Sequence, residues 1–293
     1  MRIRFRHLLI SLPIGIGLLA AAQRPEVEPT HPYFSGDEFL VAAHRGGKLL
    51  GPEGTVGTFR HAVSMGVQVL EMDVRRSADG VLVIHHDSRV DRTTEGTGRI
   101  DSLNVAQLQS LDAGYHWRDE GGRHPFRGQG LRIPTLEEIF RAFPHQRLLL
   151  EIKPRDTDIS RALCEAVRGH RLQERVVVTS FSGEVLDALR DACPEVATSA
   201  SPGEVTWYWL LHRLRLDNLY APDFQVFQVP ENMGALTVVD RSFIESAHAR
   251  NLPVHVWTVN LREDMRRLLD LGVDGIITDR PDLMLELLRE RKL

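Results

Sequence analysis

Cysteine is scarce in this chain. Only Cys164 and Cys193 occur among 293 residues, too few for a disulfide framework of the kind that holds small secreted domains together. Both fall in stretches with helical periodicity, so they read as buried free thiols, with a single bridge as the alternative in an exported protein. An excess of positive charge is also missing. Lys and Arg total 36 against 40 Asp and Glu, a formal net charge of -4, which argues against a nucleic-acid partner. Long apolar runs are absent apart from one, "LLISLPIGIGLLAAA" at residues 8–22, which follows Arg2, Arg4 and Arg6. That run is shorter than the roughly 20 residues a spanning helix needs. It reads as a signal peptide over 1–22, cut after the small residues at 20–22, or else as an N-terminal membrane anchor. The protein is thus expected to be exported or held at a membrane. Residues 23–36 read as a Pro-rich linker and 37–293 as the folded part.

What remains is ordinary globular material, 42% hydrophobic and 26% charged, enough for one large domain or two small ones. Short apolar runs alternate with helical patterns. "FLVAAH", "QVLEMDV", "RLLLEIK", "RVVVTSF", "VATSA", "FQVFQV", "VHVWTV" and "DGIITD" read as strands. Stretches such as "DISRALCEAVRGH" and "REDMRRLLDLG" between them space apolar residues by three and four. Strands each followed by a helix predict a parallel sheet under helices. Eight such units in about 255 residues predict an α/β fold of the (β/α)₈ TIM-barrel type. An open doubly wound sheet is the alternative, weakened because no Gly-rich dinucleotide fingerprint follows the first strand.

One stretch breaks the rhythm. In "LEMDVRRSADGVLVIHHD", residues 70–87, too few residues separate the two apolar runs for a parallel crossover, and Asp79-Gly80 is a hairpin turn signal. Residues 81–87 therefore read as an antiparallel return strand, with a small insertion subdomain over 88–133. A two-residue loop at Asp79-Gly80 sets Asp73 opposite His86, with Glu71 on the same face. A three-residue loop shifts the register by one and favours His85.

Charged residues recur at the carboxyl ends of the first three barrel strands, where barrel enzymes keep their chemistry. His44 and Arg45 end the first, Glu71 and Asp73 the second, Glu151 and Lys153 the third. Glu71, Asp73 and Glu151 are oxygen ligands suited to Mg²⁺ or Ca²⁺ rather than zinc. Arg45 and Lys153 suit an anionic group such as phosphate. His44 and His86 can exchange protons near neutral pH. A metal, two cations and two histidines describe a phosphoester-cleaving site.

At these residues the chain resembles the glycerophosphodiester phosphodiesterase family, across residues 39–284. The matching segments are "AHRGG", "PEGT", the hairpin stretch with "DRTTEGTG" after it, "PTLEE", "LLLEIKP", "TSF", "VHVWTVN" and "DGIITDRPD". The resemblance implies a divalent-metal hydrolase of glycerophosphodiesters, with Glu71, Asp73 and Glu151 as metal ligands and His44 and His86 as the acid/base pair. It also implies phosphate contacts from Arg45 and Lys153. A neighbouring glycerol hydroxyl would attack phosphorus to give a cyclic phosphate, which water then opens. Trp257 would stand at the mouth and flank the glycerol moiety, the alternative being apolar filling of the barrel. One position departs: the family's "PENT" reads Pro52-Glu53-Gly54-Thr55 here. Glu53 itself reads as an acid favoured by the dipole at a helix start, with a part in the site as the alternative.

Two further stretches stand out. Trp207, Leu210, Leu211 and Leu214 would share one helix face, which reads as core packing, or alternatively as an aromatic lip touching a bilayer or an acyl chain. The basic set Arg118, Arg123, His124, Arg127 and Arg132 reads as a solvated face or an attractor of anionic headgroups. The expected substrate is therefore a glycerophosphodiester. A lysophospholipid cleaved in lysophospholipase D fashion is the alternative, and a non-catalytic phospholipid-binding envelope protein is a further one.

Overall fold

The computed structural model describes residues 31–36, 38–153 and 156–291. The chain runs through β1 (Leu40–Ala43), α1 (Val56–Met65), β2 (Val69–Arg76), its antiparallel return β3 (Leu82–Ile84), α2 (Val105–Gln109) and α3 (Leu136–Ala142). It continues with β4 (Arg147–Ile152), α4 (Thr157–His170), β5 (Val176–Thr179), α5 (Gly183–Ala192), β6 (Ala197–Thr198) and α6 (Pro202–Arg213). Then follow β7 (Phe227–Pro230), a small hairpin of β8 (Asn232–Met233) and β9 (Leu236–Thr237), and α7 (Arg241–His248). The last elements are β10 (Val254–Trp257), α8 (Arg262–Leu271), β11 (Gly275–Thr278) and α9 (Pro281–Arg291).

Eight parallel strands lie side by side in the order β6-β5-β4-β2-β1-β11-β10-β7. A parallel bridge between Ser199 and Val226 joins the two ends, helped by hydrogen bonds from Ala200 N to Val226 O and from Gln225 N to Thr198 O. The sheet is thus a closed barrel, and each expected strand has its counterpart. Period-two alternation sorts the side chains. Leu40, Ala42, Val69, Leu149, Val177, Ala197, Val226 and Ile277 pack inside the barrel. Their neighbours, such as Val41, Leu70, Met72, Leu148 and Leu150, pack outward under the helices. Following the inward face toward the strand ends, the residues turn polar: Glu71 and Asp73 on β2, Glu151 on β4. Those positions sit where (β/α)₈ enzymes work.

Residues 88–133 carry a small core of their own, in which Val90, Ile100, Leu108, Ala113 and Ile133 pack with Val83. Trp117 Nε1 donates to Lys48 O at 3.0 Å, which fastens this insertion to the loop after β1. The basic set of the insertion is largely consumed internally. Arg123 pairs with Asp119 and Arg132 with Glu138, while Arg127 stacks over Tyr115 at 4.1 Å.

Four expectations need correction. First, the hairpin register is Val74↔Ile84, Arg75↔Val83 and Arg76↔Leu82, which sets Asp73 level with His85. His85 N donates to Asp73 O at 2.9 Å. The loop has three residues because Val81 N donates to Ser77 Oγ, Ser77 Oγ donates to Asp79 Oδ1, and Gly80 takes φ 85°, the left-handed position that such loops reserve for glycine. Secondly, Cys164 and Cys193 are not free thiols. They form a disulfide between α4 and the end of α5, whose Cα atoms stand 5.8 Å apart, inside the range a bridge requires.

Thirdly, the chain is folded before residue 37: a 3-10 turn at Pro32–Phe34 buries Tyr33, and Tyr33 and Phe34 pack on the barrel's inner cluster. The expected leader and most of the linker lie outside the described residues. Fourthly, the α6 stripe faces outward. Trp207, Leu210 and Leu214 are exposed by 53%, 41% and 59%, because the helix instead buries Val205 and Tyr208. Tyr208 packs among Phe227 and Phe243, and its hydroxyl bonds Ser246. Among the described residues, no helix is long and apolar enough to cross a membrane.

Candidate active site

The loop after β1 turns sharply. Arg45 takes φ 51°, which points its backbone N–H back at β2, and this N–H donates to Glu71 Oε2 at 2.7 Å. Parallel pairing of β2 with β4 sets Asp73 level with Glu151. Glu71, Asp73 and Glu151 each offer an oxygen, and these atoms lie within 4.8 Å of one another. Glu71 and Asp73 are buried. Burial first, then the Asp73 and Glu151 charges, push the Glu71 carboxyl well above its ordinary value. Burial likewise raises Glu151, against the opposing pull of Lys153.

Cations surround the trio. Lys153 Nζ lies 2.7 Å from Glu151 Oε1 and 3.1 Å from Asp73 Oδ1. Among the described residues, neither of those buried oxygens finds a well-directed hydrogen-bond donor. Arg45 reaches Asp73 Oδ2 through Nε at 3.3 Å and Glu53 Oε1 through Nη1 at 3.0 Å. Glu53 is therefore no helix-start acid, because Thr55 caps α1 and Glu53 bridges Arg45 and Arg92. Burial works to raise the Glu53 carboxyl, but Arg92 and Arg45 together hold it down at about 2.

Both histidines have a carboxylate at Nδ1. His44 Nδ1 lies 2.6 Å from Asp279 Oδ1, and its Nε2 faces Glu71 Oε2 at 3.9 Å. Asp279, just beyond β11, also accepts from Asn260 Nδ2 and pairs with Lys48. Burial works to raise this carboxyl, but His44, Lys48 and Asn260 pull it below its ordinary value. His86 Nδ1 lies 2.6 Å from Asp87 Oδ1, and Asp87 in turn pairs with Arg92. Arg75 grips the His86 carbonyl through Nε and Nη2. Burial lowers the pKa of His86, which favours its neutral form.

The register shift does not exchange the two histidines. Beyond Ile84 the strand ends, so alternation no longer governs where side chains point. His85 is buried and bonds Asp87 O and Thr93 Oγ1. His86 lines the main cleft with His44, Arg45, Glu71, Glu151, Lys153 and Trp257, a space of about 560 Å³. Asp73 stands just behind, in contact with Arg45 and Lys153. All eight residues singled out in the sequence therefore come together. Asp279, Asn260, Lys48 and Asp87 were not singled out. For Asp279 the signal existed, since it lies two residues beyond the inward-facing Ile277 at a strand end.

The opposite wall of the cleft is apolar, built from Phe181, Val205, Val229, Met233 and Trp257. Trp257 is thus a wall residue at the mouth, edge-on to Phe181 with ring centroids 5.9 Å apart. The departure at Gly54 is mild. Gly54 takes φ 69°, and an added Cβ would meet only Ile84 at ordinary distances. Asparagine is the other residue that tolerates this left-handed region.

The model of the glycerophosphoryl diester phosphodiesterase family matches residues 44–283. The chain belongs to this family. It is 31% identical over 258 residues to a glycerophosphodiester phosphodiesterase of Caldanaerobacter subterraneus subsp. tengcongensis, covering 86% of this chain and 98% of that protein. A lysophospholipase D of Rattus norvegicus is 25% identical over 271 residues, 84% of this chain and 85% of its own length. Among solved structures, an Oleispira antarctica phosphodiesterase in complex with the product sn-glycerol-3-phosphate superposes with a TM-score of 0.69 at 26% identity, covering 85% of this chain and 96% of that one. This chain is accordingly a phosphodiesterase of that family, which hydrolyses glycerophosphodiesters. The reading as a non-catalytic binding protein gives way to that assignment.

Proposed function

We propose that the enzyme uses a divalent cation, Mg²⁺ or Ca²⁺, held by Glu71, Asp73 and Glu151, and releases sn-glycerol 3-phosphate from glycerophosphodiesters by paired histidine catalysis. The observation that carries this reading is the trio itself. Three carboxylates crowded within 4.8 Å, two of them buried, are costly to bury together without a cation. Two oxygens that accept no well-directed hydrogen bond suit such an ion, and an all-oxygen set favours a hard one. When bound, the ion supplies Lewis-acid polarisation of the phosphoryl oxygens.

The chain's own residues do the remaining work. Lys153 and Arg45 stand beside the trio, where they can bind phosphate oxygens and hold phosphorus in line. Each histidine keeps Nδ1 on a carboxylate, which leaves Nε2 free to exchange a proton. One imidazole takes the proton from the attacking glycerol hydroxyl and the other gives one to the leaving alcohol oxygen. Water then opens the cyclic phosphate with the two proton roles reversed, giving glycerol 3-phosphate. The Trp257 side of the cleft excludes water from the non-reacting part of the substrate.

The same apolar wall favours a second substrate class, lysophospholipids cleaved on the headgroup side, as the similarity to a lysophospholipase D also suggests. Export accords with the Cys164–Cys193 disulfide, since such bonds persist in oxidising compartments, and with the apolar run at 8–22. The test is turnover of glycerophosphocholine beside lysophosphatidylcholine, before and after EDTA and with Mg²⁺ or Ca²⁺ restored. Release of glycerol 3-phosphate that vanishes with EDTA and returns with one ion supports the reading. Undiminished turnover in EDTA, or loss of activity in neither His44→Ala nor His86→Ala, would count against it.

A further inference from the structure

The exposed apolar side chains of this molecule are not scattered. Among the described residues, Leu49, Phe181, Met233, Leu236 and Leu261 are each more than half exposed. All five stand on segments that follow the barrel strands β1, β5, β7 and β10, so topology gathers them on the catalytic rim. A second set follows β6. Trp207, Leu210 and Leu214 form the outward stripe of α6, and Leu216 and Leu219 continue it. Of the exposed large hydrophobic side chains among the described residues, only Val63 lies elsewhere. Helices α3, α4, α5, α7, α8 and α9 contribute none.

The two sets are joined. Trp209 Nε1 and Arg213 Nη2 both donate to Thr237 O, which ties α6 to the rim hairpin carrying Met233 and Leu236. The patch is also continuous with the cleft, because Phe181 and Met233 both line the cleft and face solvent. An apolar surface that runs into a substrate cleft suits an occupant whose apolar part also continues inward. Scattered apolar residues are common on protein surfaces, whereas a contiguous set marks an interaction site. Exposed Trp, Leu and Met with the exposed Arg215 beside them suit the boundary between headgroups and acyl chains.

We infer that the catalytic rim, with the outer face of α6, docks on a lipid surface and draws the phosphodiester of a lipid-derived substrate from it. The orientation of this surface toward substrate rests on the phosphodiesterase reading above, whereas docking itself does not. Docked this way, the apolar wall takes the acyl part of the substrate while the phosphate meets Lys153 and Arg45. The N-terminal run at 8–22 could tether the chain, but it would not set which face meets the lipid.

The tryptophans make the face observable. All four, Trp117, Trp207, Trp209 and Trp257, lie outside residues 1–30, so their emission reports on the barrel and not on the N-terminal run. Full-length protein is mixed with vesicles of phosphatidylcholine and phosphatidylglycerol brominated on the acyl chains. The expected result is quenching of tryptophan emission, lost in the double variant Leu236→Asp/Leu261→Asp. Neither residue lines the cleft, and aspartate at 261 falls at the cap position of α8, where it favours folding. Glycerophosphocholine turnover by the variant stays within about twofold of wild type, as for surface substitutions. No quenching in the wild type, or equal quenching in the variant, overturns the inference. A dimer in sedimentation that the double variant dissolves, without quenching, assigns the face to a second copy and overturns it too. Loss of soluble turnover in the wild type would instead count against the phosphodiesterase reading.

Discussion

Asp279 Oδ1 stands 2.6 Å from His44 Nδ1, joining residues 235 positions apart in the sequence. The carboxylate fixes the ring so that Nε2 faces the Glu71 side of the cleft. Asp279→Asn keeps the shape and removes that charge. Turnover should fall by about 10²–10⁴-fold, the range that a well-placed acid or base contributes, with little change in KM. Steady-state kinetics across pH check this, since a merely structural defect would move stability rather than kcat alone.

The carboxylate trio makes metal and pH interdependent. In metal-free protein, Glu71 and Glu151 have carboxyls raised chiefly by burial, so the fold holds protons that the unfolded chain has already released. That contribution favours the fold at low pH and is lost as pH rises through the raised values. EDTA-treated protein should therefore lose thermal stability as pH rises above the ordinary glutamate value of about 4.3, and a divalent ion should restore more at higher pH. Thermal melts with and without Mg²⁺ or Ca²⁺ decide this. Proton release on ion binding, read by calorimetry in two buffers, gives an independent measure.

At the other end of the barrel, His255 is buried and its Nε2 has no hydrogen-bond partner among the described residues. Burial lowers its pKa to about 4. A depressed folded value means that stability present at neutral pH is lost as pH falls from the ordinary histidine value of about 6.5 towards the folded value. The loss approaches about 3 kcal/mol if the ring stays neutral in the fold. His255→Leu should flatten the dependence of stability on pH over that window. Urea midpoints at about pH 7 and pH 4.5 compare the two proteins.

Reduction of the Cys164–Cys193 bond frees a loop with a separation of 29 residues. By loop-closure entropy the cost is about 3–4 kcal/mol, read as a lower melting temperature in dithiothreitol. The double variant Cys164→Ala/Cys193→Ala should melt at the same temperature with and without the reductant.

The barrel was legible because its strands are short, doubly buried and separated by helical spacing, a pattern that neighbouring contacts do not disturb. "RLLLEIK" and "DGIITD" needed no tertiary information. The hairpin register did. Asp79 accepts from Val105 N in the insertion, and Ser77 organises the turn, contacts that a turn dipeptide does not announce. His86 was chosen through a register that does not form, and it reaches the cleft because the strand has already ended. The α6 stripe misled for a different reason. Amphipathic spacing tells which residues share a face, not which face meets the core, and Tyr208 with its bond to Ser246 decided that. The Asp279 partnership was hidden by distance along the chain.

β1 pairs with β11 from Leu40↔Gly275 to Ala43↔Thr278, and Asp279 follows at once. The carboxylate that holds the first histidine thus emerges during synthesis after Glu71, Asp73 and Glu151. A chain that stops before residue 275 lacks both the strand that pairs with β1 and the anion that His44 leans on. Closing the ring of strands and seating the His44 imidazole are therefore one event.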